Sequence, residues 1–283
     1  MTKEIQGRLS ILSSAVIFGL MPLGASYAYG GGSNALQLVF TRFFLPLPFF
    51  YAMLRHKGIN LSITKRQFMQ IQLLALSFCL TPITLYMSYY YMDTGVATTL
   101  HFMYPLFVIL GCLVFYKEVP TTKVWICLGL TLAGLLLAMP RGGAQGLGVF
   151  FSILSALTFS FYVIYLSKSG LGILDNLSLV FHVALAASIQ TAIMITLLGK
   201  WSAMSTQGWL ASFIFAMVVS IGGALSFQKG TLLIGPQKAS IFSTVEPLTS
   251  IIVGVLLLGD HLTWLSGAGM FLILLSALLL AKE

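Results

Sequence analysis

The sequence predicts an all-α polytopic membrane protein with ten transmembrane helices in two inverted five-helix repeats. Three observations predict it. Hydrophobic residues make up 58% of the 283, charged residues only 8%, and mean hydropathy is +0.97. A soluble domain carries about 25% charge, so this chain could not cover its own surface in water. Apolar runs recur along the chain at the length a bilayer needs, about 20 helical residues for about 30 Å of hydrocarbon. Finally, the first half overlays the second at a nearly constant offset.

Taken in order, the apolar runs give spans at residues 9–28, 36–54, 69–92, 95–116, 122–139, 147–167, 177–198, 208–233, 237–258 and 264–281. The first resembles a cleavable signal peptide, with Lys3 and Arg8 before an apolar run and Ser26-Tyr27-Ala28 after it. That run exceeds a normal signal core and further spans follow, so it reads as a helix that stays attached. Met92-Asp93-Thr94-Gly95 and Gly235-Pro236-Gln237-Lys238 split two runs that are too long for one helix each.

The formal charge of +8 does not imply nucleic acid, because the Lys and Arg residues punctuate apolar runs instead of clustering with aromatics. With the N-terminus inside, eleven of them, including Lys3, Arg55, Lys65, Lys117, Lys168 and Lys282, fall in cytoplasmic segments. Only Arg141 and Lys200 fall outside, and this bias places both termini in the cytoplasm. The expected setting is the plasma membrane. Lys229 lies near the inner end of its span and can snorkel. Arg42 lies within span two, where either pairing with loop carbonyls or contact with substrate accounts for it. Cys79, Cys112 and Cys127 sit in apolar runs without CxxC spacing and read as small hydrophobes.

A shift of about 141 residues lays Leu12–Phe18 over Ile153–Phe159. A shift of 142 lays Ala97-Thr98 over Ala239-Ser240, Pro105-Leu106 over Pro247-Leu248, Glu118 over Asp260 and Thr121 over Thr263. The common offset divides the chain into repeats at 1–141 and 142–283 within one integral membrane domain. Five spans is an odd number, so the second repeat enters the membrane from the opposite side, as in carriers that build two gates around one site.

Glu246 is the acid in the middle of a span, while the other acids lie near span ends, in loops or at the termini. Burying a carboxylate there costs at least a few kcal/mol. Pro247 follows it and lacks the N–H that would bond to the Ser243 carbonyl, so a break in the helix is expected where the acid sits. Glu246 reads either as a protonated acid bonded to a neighbouring helix or as a cavity-facing carboxyl that exchanges protons. His101 and Tyr104 lie three apart on one helical face and overlay Ser243 and Glu246. These four, with Tyr86, Tyr90, Gln228, Phe18 and Phe159, form the candidate substrate-binding set, and Glu246 is the candidate proton site. His182 is assigned to packing. Gly129-xxx-Ala133 suggests a close helix contact, either within the bundle or at a dimer interface.

Ala-Ser-x5-Glu-Pro-Leu at Ala239–Leu248 and Leu-Leu-Gly-Asp-x-Leu-Thr at Leu257–Thr263 precede a closing helix that contains Gly267. Ala97–Val119 carries a weaker copy. Together these resemble the EamA family of the drug/metabolite transporter superfamily, over the whole chain. The family's usual Gly-Glu is Gly259-Asp260 here, and Tyr104 stands at the position paired with Glu246. The resemblance implies a ten-helix carrier, mostly exporting small metabolites such as amino acids, with a central cavity and with helices five and ten at the periphery.

No HExxH, GxSxG, P-loop, GxGxxG or metal-spaced His/Cys/acid set occurs, so neither an enzyme, a cofactor nor a metal is expected. The expected function is secondary transport of small organic solutes, exporting them by alternating access, with proton coupling through Glu246. A membrane-embedded enzyme or lipid-handling subunit using Glu246 and His101, or a multidrug or organic-cation exporter, are the alternatives. The expected partners are a small-molecule substrate and the lipid bilayer, with the chain a monomer or homodimer. If the charge bias sets topology, single cysteines at Gly31 and Lys57, in a background lacking the native three, should react with an impermeant thiol reagent from opposite sides of the membrane. Reaction of both from outside intact cells would overturn this orientation.

Overall fold

The first N–H groups of a helix have no partner within it, and a side chain just before its start commonly caps them. The chain supplies such caps at repeat-related positions. Asn34 accepts from the Gln37 N–H at 2.9 Å, and Asp175, 141 residues later, accepts from Leu177 and Ser178. Thr64 caps by accepting from the Gln67 N–H while the Gln67 side chain accepts from the Thr64 N–H, and Ser205 caps at the same offset. Thr121 and Thr263 cap through Val124 and Ser266. Each such cap is worth roughly 1 kcal/mol.

The computed structural model describes residues 2–92, 94–139, 145–253, 256–257 and 263–282. Asp93, Arg141, Gly259, Asp260 and Glu283, read above as loop or terminal residues, lie outside that set. The described residues form an all-helical bundle. Eight stretches are long and apolar enough to cross a membrane: span one (Lys3–Gly30), two (Ala35–His56), three (Lys65–Ser88), four (Val96–Tyr116), six (Gly146–Lys168), seven (Asn176–Leu198), eight (Thr206–Ile234) and ten (Trp264–Ala281). Span five is the shorter apolar helix Thr122–Ala138. Span nine comprises Pro236–Ser243 and Val245–Val253, with Thr244 as the break between them.

That break is the one expected from Pro247. Span four breaks at the equivalent place, Phe102–Met103, ahead of Tyr104-Pro105. In both spans proline sits in the first turn of the resumed helix, where its missing N–H costs nothing. Span eight departs differently, through wide π-helical turns at Met217–Ala224.

The packing pairs repeat with the halves exchanged. Span one lies along spans eight and nine, and span six lies along spans three and four; span two meets seven, and span five meets ten. Spans five and ten touch almost backbone to backbone, since a Cβ on Gly134 or Gly269 would run into the other's carbonyl. Thr131 donates to Ser276 at 2.9 Å, and Ser276 donates to the Cys127 carbonyl at 2.8 Å. The close contact suggested at Gly129 is not an internal one: a Cβ there would meet nothing within 4 Å, and Gly129 and Ala133 share an exposed face turned away from span ten. All three cysteines are buried and free.

The two ends of the bundle are held by different chemistry. On the face bearing Gly31, Asn34 donates to the Lys200 carbonyl at 2.7 Å, and the Ser202 hydroxyl donates to Gln37 at 2.7 Å. On the face bearing Lys57, Glu4 pairs with Arg8 at 2.6 Å and with Lys238 at 3.1 Å, while Lys168 pairs with Glu118. The span five–ten seam predicts a contrast between glycines. Gly134→Leu should lower stability by about 1–3 kcal/mol through overpacking, whereas Gly129→Leu should leave it unchanged. Thermal unfolding of the purified protein reads the difference, and equal midpoints would contradict the seam.

Candidate functional site

The breaks in spans four and nine bring side chains from both repeats together in the interior. Glu246 lies in the first turn of the resumed helix of span nine, where the local N–H groups favour a negative charge. Among the described residues its carboxyl has neither an ion-pair partner within 4.0 Å nor a hydrogen bond. Its carbonyl sits against span one, where a Cβ on Gly19 would strike it. Ser250 fastens the same junction by donating to the Gly19 carbonyl at 3.0 Å. The other repeat echoes this at the 141-residue offset, with Ser160 donating to the Tyr104 carbonyl at 3.0 Å.

Tyr104 is 1% exposed and donates to the Ser240 carbonyl at 3.3 Å. It also lies beside the Ser243 hydroxyl and within electrostatic reach of Glu246. The expected grouping of Tyr104, Ser243 and Glu246 therefore occurs. His101 turns elsewhere: its Nδ1 meets the Ser155 hydroxyl of span six at 3.0 Å. Ser155 spends its proton on the Thr81 carbonyl at 2.8 Å, so Nδ1–H donates to Ser155. His101 remains next to Tyr104 and Phe159 by ring contact, at 5.9 and 5.7 Å.

Phe159 is the hinge of an aromatic wall. It meets Tyr104 edge-on at 4.7 Å and lies 5.9 Å from Tyr162 and 5.7 Å from Phe227, which in turn reaches Phe18 at 6.1 Å. Tyr162 stacks on Phe78 at 4.3 Å, and Phe78 meets Phe43 at 5.3 Å. Gln228 donates to the Tyr162 hydroxyl at 3.0 Å, and its own carbonyl oxygen is buried without a partner. Tyr86 is half-buried near Tyr29 and Arg42.

Tyr90 is the exception. It is 86% exposed. The helix of span three ends at Ser88, so the four-residue spacing from Tyr86 no longer keeps the two on one face. His182 bonds within its own helix, to the Ser178 carbonyl at 2.7 Å, in keeping with packing.

The wall ends on Arg42, for which the sequence left two roles open. Its guanidinium carbon lies 5.5 Å from the Phe18 and Phe43 rings and 5.3 Å from Phe78. Among the described residues no loop carbonyl takes it. Arg42 and Glu246 sense each other electrostatically without forming an ion pair. Tyr162, Phe227, Phe78 and Phe43 were also missed. Their signal was available for Tyr162 alone, which lies one helical turn from Phe159 on the same face.

A surface cleft of about 530 Å³ between spans three, six and seven, lined by residues such as Leu73, Tyr165 and Gln190, is separate from this cluster. Among the described residues no group of three or more His, Cys, Asp or Glu is placed to hold a metal.

The chain matches the EamA-like transporter family over residues 5–139 and 146–282. It is 28% identical over 210 residues to "Uncharacterized transporter sll1319" of Synechocystis sp., covering 71% of this chain and 63% of that protein. It is also 28% identical over 200 residues to "Uncharacterized inner membrane transporter YicL" of Salmonella typhimurium, covering 68% and 65%. The match thus takes in just under two thirds of each relative's own length. A solved structure superposes with a TM-score of 0.82 at 14% identity over 98% of each chain, a likeness of fold. Helices of this length and apolarity make it an integral, multi-pass membrane protein. The chain belongs to the EamA-like transporter family.

Proposed function

We propose that the protein is a secondary transporter that moves small organic solutes by alternating access and exports metabolites such as amino acids from the cytoplasm. Its place is the plasma membrane, with both termini cytoplasmic, as a monomer or homodimer. The observation that carries this reading is Glu246, an interior carboxyl at a helix break with no ion-pair or hydrogen-bond partner among the described residues, within electrostatic reach of Tyr104 of the opposite repeat. An acid retained at that cost has a use beyond packing. It can hold a proton or the cationic group of a substrate, and the two then compete for one site.

The rival roles draw less support from the geometry. An enzymatic acid/base pair of Glu246 and His101 needs the two within hydrogen-bond reach of one substrate atom. His101 instead donates to Ser155 and packs against Phe159. A purely cationic cargo would have to enter a site that already holds Arg42, against like-charge repulsion.

The test is uptake driven by a pH gradient into proteoliposomes, with a solute found by thermal-shift screening of amino acids, nucleobases and cationic drugs. Glu246→Gln is nearly isosteric and neutral, so it should fold and yet lose proton-driven uptake. Substrate affinity in the variant should also lose its dependence on pH between about 5 and 8. Equal uptake by wild type and variant would remove Glu246 from the mechanism.

A further inference from the structure

Arg42 is 6% exposed, and among the described residues its side chain has no carboxylate within ion-pair distance and no hydrogen-bonding acceptor. Its Nε–H is fully enclosed and unpartnered. A guanidinium carries five N–H donors in one plane. The rings of Phe18, Phe43 and Phe78 offer it π electron density, which compensates charge but supplies no acceptor for those in-plane donors. Leaving a buried cation in this state is costly unless something else completes it.

Two further observations separate this arginine from packing. Its repeat equivalent at the 141-residue offset is Val183, so the span two–seven contact is made on the other side without a charge. Its main chain is fixed, because Ser220 in the π-helical turns of span eight donates to the Arg42 carbonyl at 2.7 Å. The side chain is therefore held in place while its donors are left open. Tyr86, Glu246 and Tyr162 lie within electrostatic reach of it.

Resting on the transport reading above, we infer that Arg42 binds the carboxylate of the cargo, and that the cargo is an organic acid with an apolar, aromatic-compatible body. The fork of the guanidinium matches a carboxylate in two parallel hydrogen bonds. The wall from Phe78 through Tyr162 and Phe159 takes the body. Glu246 lies within electrostatic reach of Tyr104, which meets that wall at Phe159, and would meet a substrate ammonium where there is one. The carboxylate is the obligatory feature and the ammonium is the optional one.

Three matched probes separate these features: phenylalanine, 3-phenylpropionate without the ammonium, and phenylalaninamide with the carboxylate masked. Calorimetric titration of the purified wild-type protein should show at least one of the two carboxylates binding more tightly than the amide. Arg42→Gln should weaken carboxylate binding roughly 10- to 100-fold, the usual worth of hydrogen bonds to a charged group, and leave the amide unaffected. Arg42→Lys, which keeps the charge and loses the fork, should fall between. The ligand-free unfolding midpoint of Arg42→Gln should stay at or above wild type, because an unpaired buried charge is removed. The inference is overturned if the amide binds as well as both carboxylates, if neither carboxylate binds at millimolar concentration, or if Arg42→Gln binds them as wild type does. The wild-type series decides even if the variants misfold. Amide binding that needs Glu246 would leave the transport reading standing without this one. Arg42-dependent carboxylate binding without proton-driven uptake would do the reverse.

Discussion

The cost of charge in a low-dielectric interior shapes this protein more than any other constraint. Arg42 and Glu246 both lie inside the bundle, within electrostatic reach of each other and yet without an ion-pair partner among the described residues. Direct pairing would neutralise both and leave nothing for a substrate to bind. The fold compensates each charge separately: Arg42 with three phenyl rings, Glu246 with the first turn of a resumed helix. Neither compensation supplies the strong hydrogen bonds that the groups can make. A ligand presenting complementary polar atoms gains what the protein withholds.

The repeats explain how such a site can be built and reached. Spans one, eight and nine form one packing group, and spans six, three and four form its counterpart. The helix breaks at Phe102–Met103 and Thr244 occupy equivalent positions, so both groups present a loosened point to the same interior. Spans five and ten close against each other through Gly134 and Gly269, outside the aromatic cluster. The ends differ, with neutral hydrogen bonds from Asn34 and Gln37 on one face and ion pairs of Glu4 and Glu118 on the other. Those are weak, replaceable contacts, suited to opening one end while the paired cores stay intact.

Much of this was legible in the sequence because hydrocarbon enforces simple rules. Apolar run length located the spans, and the repeat offset located the partnered breaks. The offset held more than was first taken from it, since Asn34/Asp175 and Thr64/Ser205 are repeat-related caps that only the structure drew attention to. The site was legible in part. Glu246, Tyr104 and Ser243 follow from proline position and repeat register, both local properties of the chain. Arg42 does not, because its meaning depends on Phe18, Phe43 and Phe78, three rings drawn from three different spans. Tyr90 departs from Tyr86 for a local reason: span three was read to residue 92, and its helix stops at Ser88. Gly129 makes no contact within the bundle, because a small-residue pattern shows that close approach is allowed and leaves open which helix, of this chain or of a second copy, uses it.

The central claim is that one interior site between the repeats is reached from each side of the membrane in turn. Ser243, buried beside Tyr104 and donating within its own helix to the Ala239 carbonyl at 2.9 Å, is a suitable reporter. The measurement is the rate at which Ser243→Cys, in a background without Cys79, Cys112 and Cys127, reacts with a membrane-impermeant thiol reagent applied to either face of sealed vesicles. Reaction from both faces, each slowed by saturating transported solute, is the predicted result; reaction from one face alone would contradict alternating access through this site.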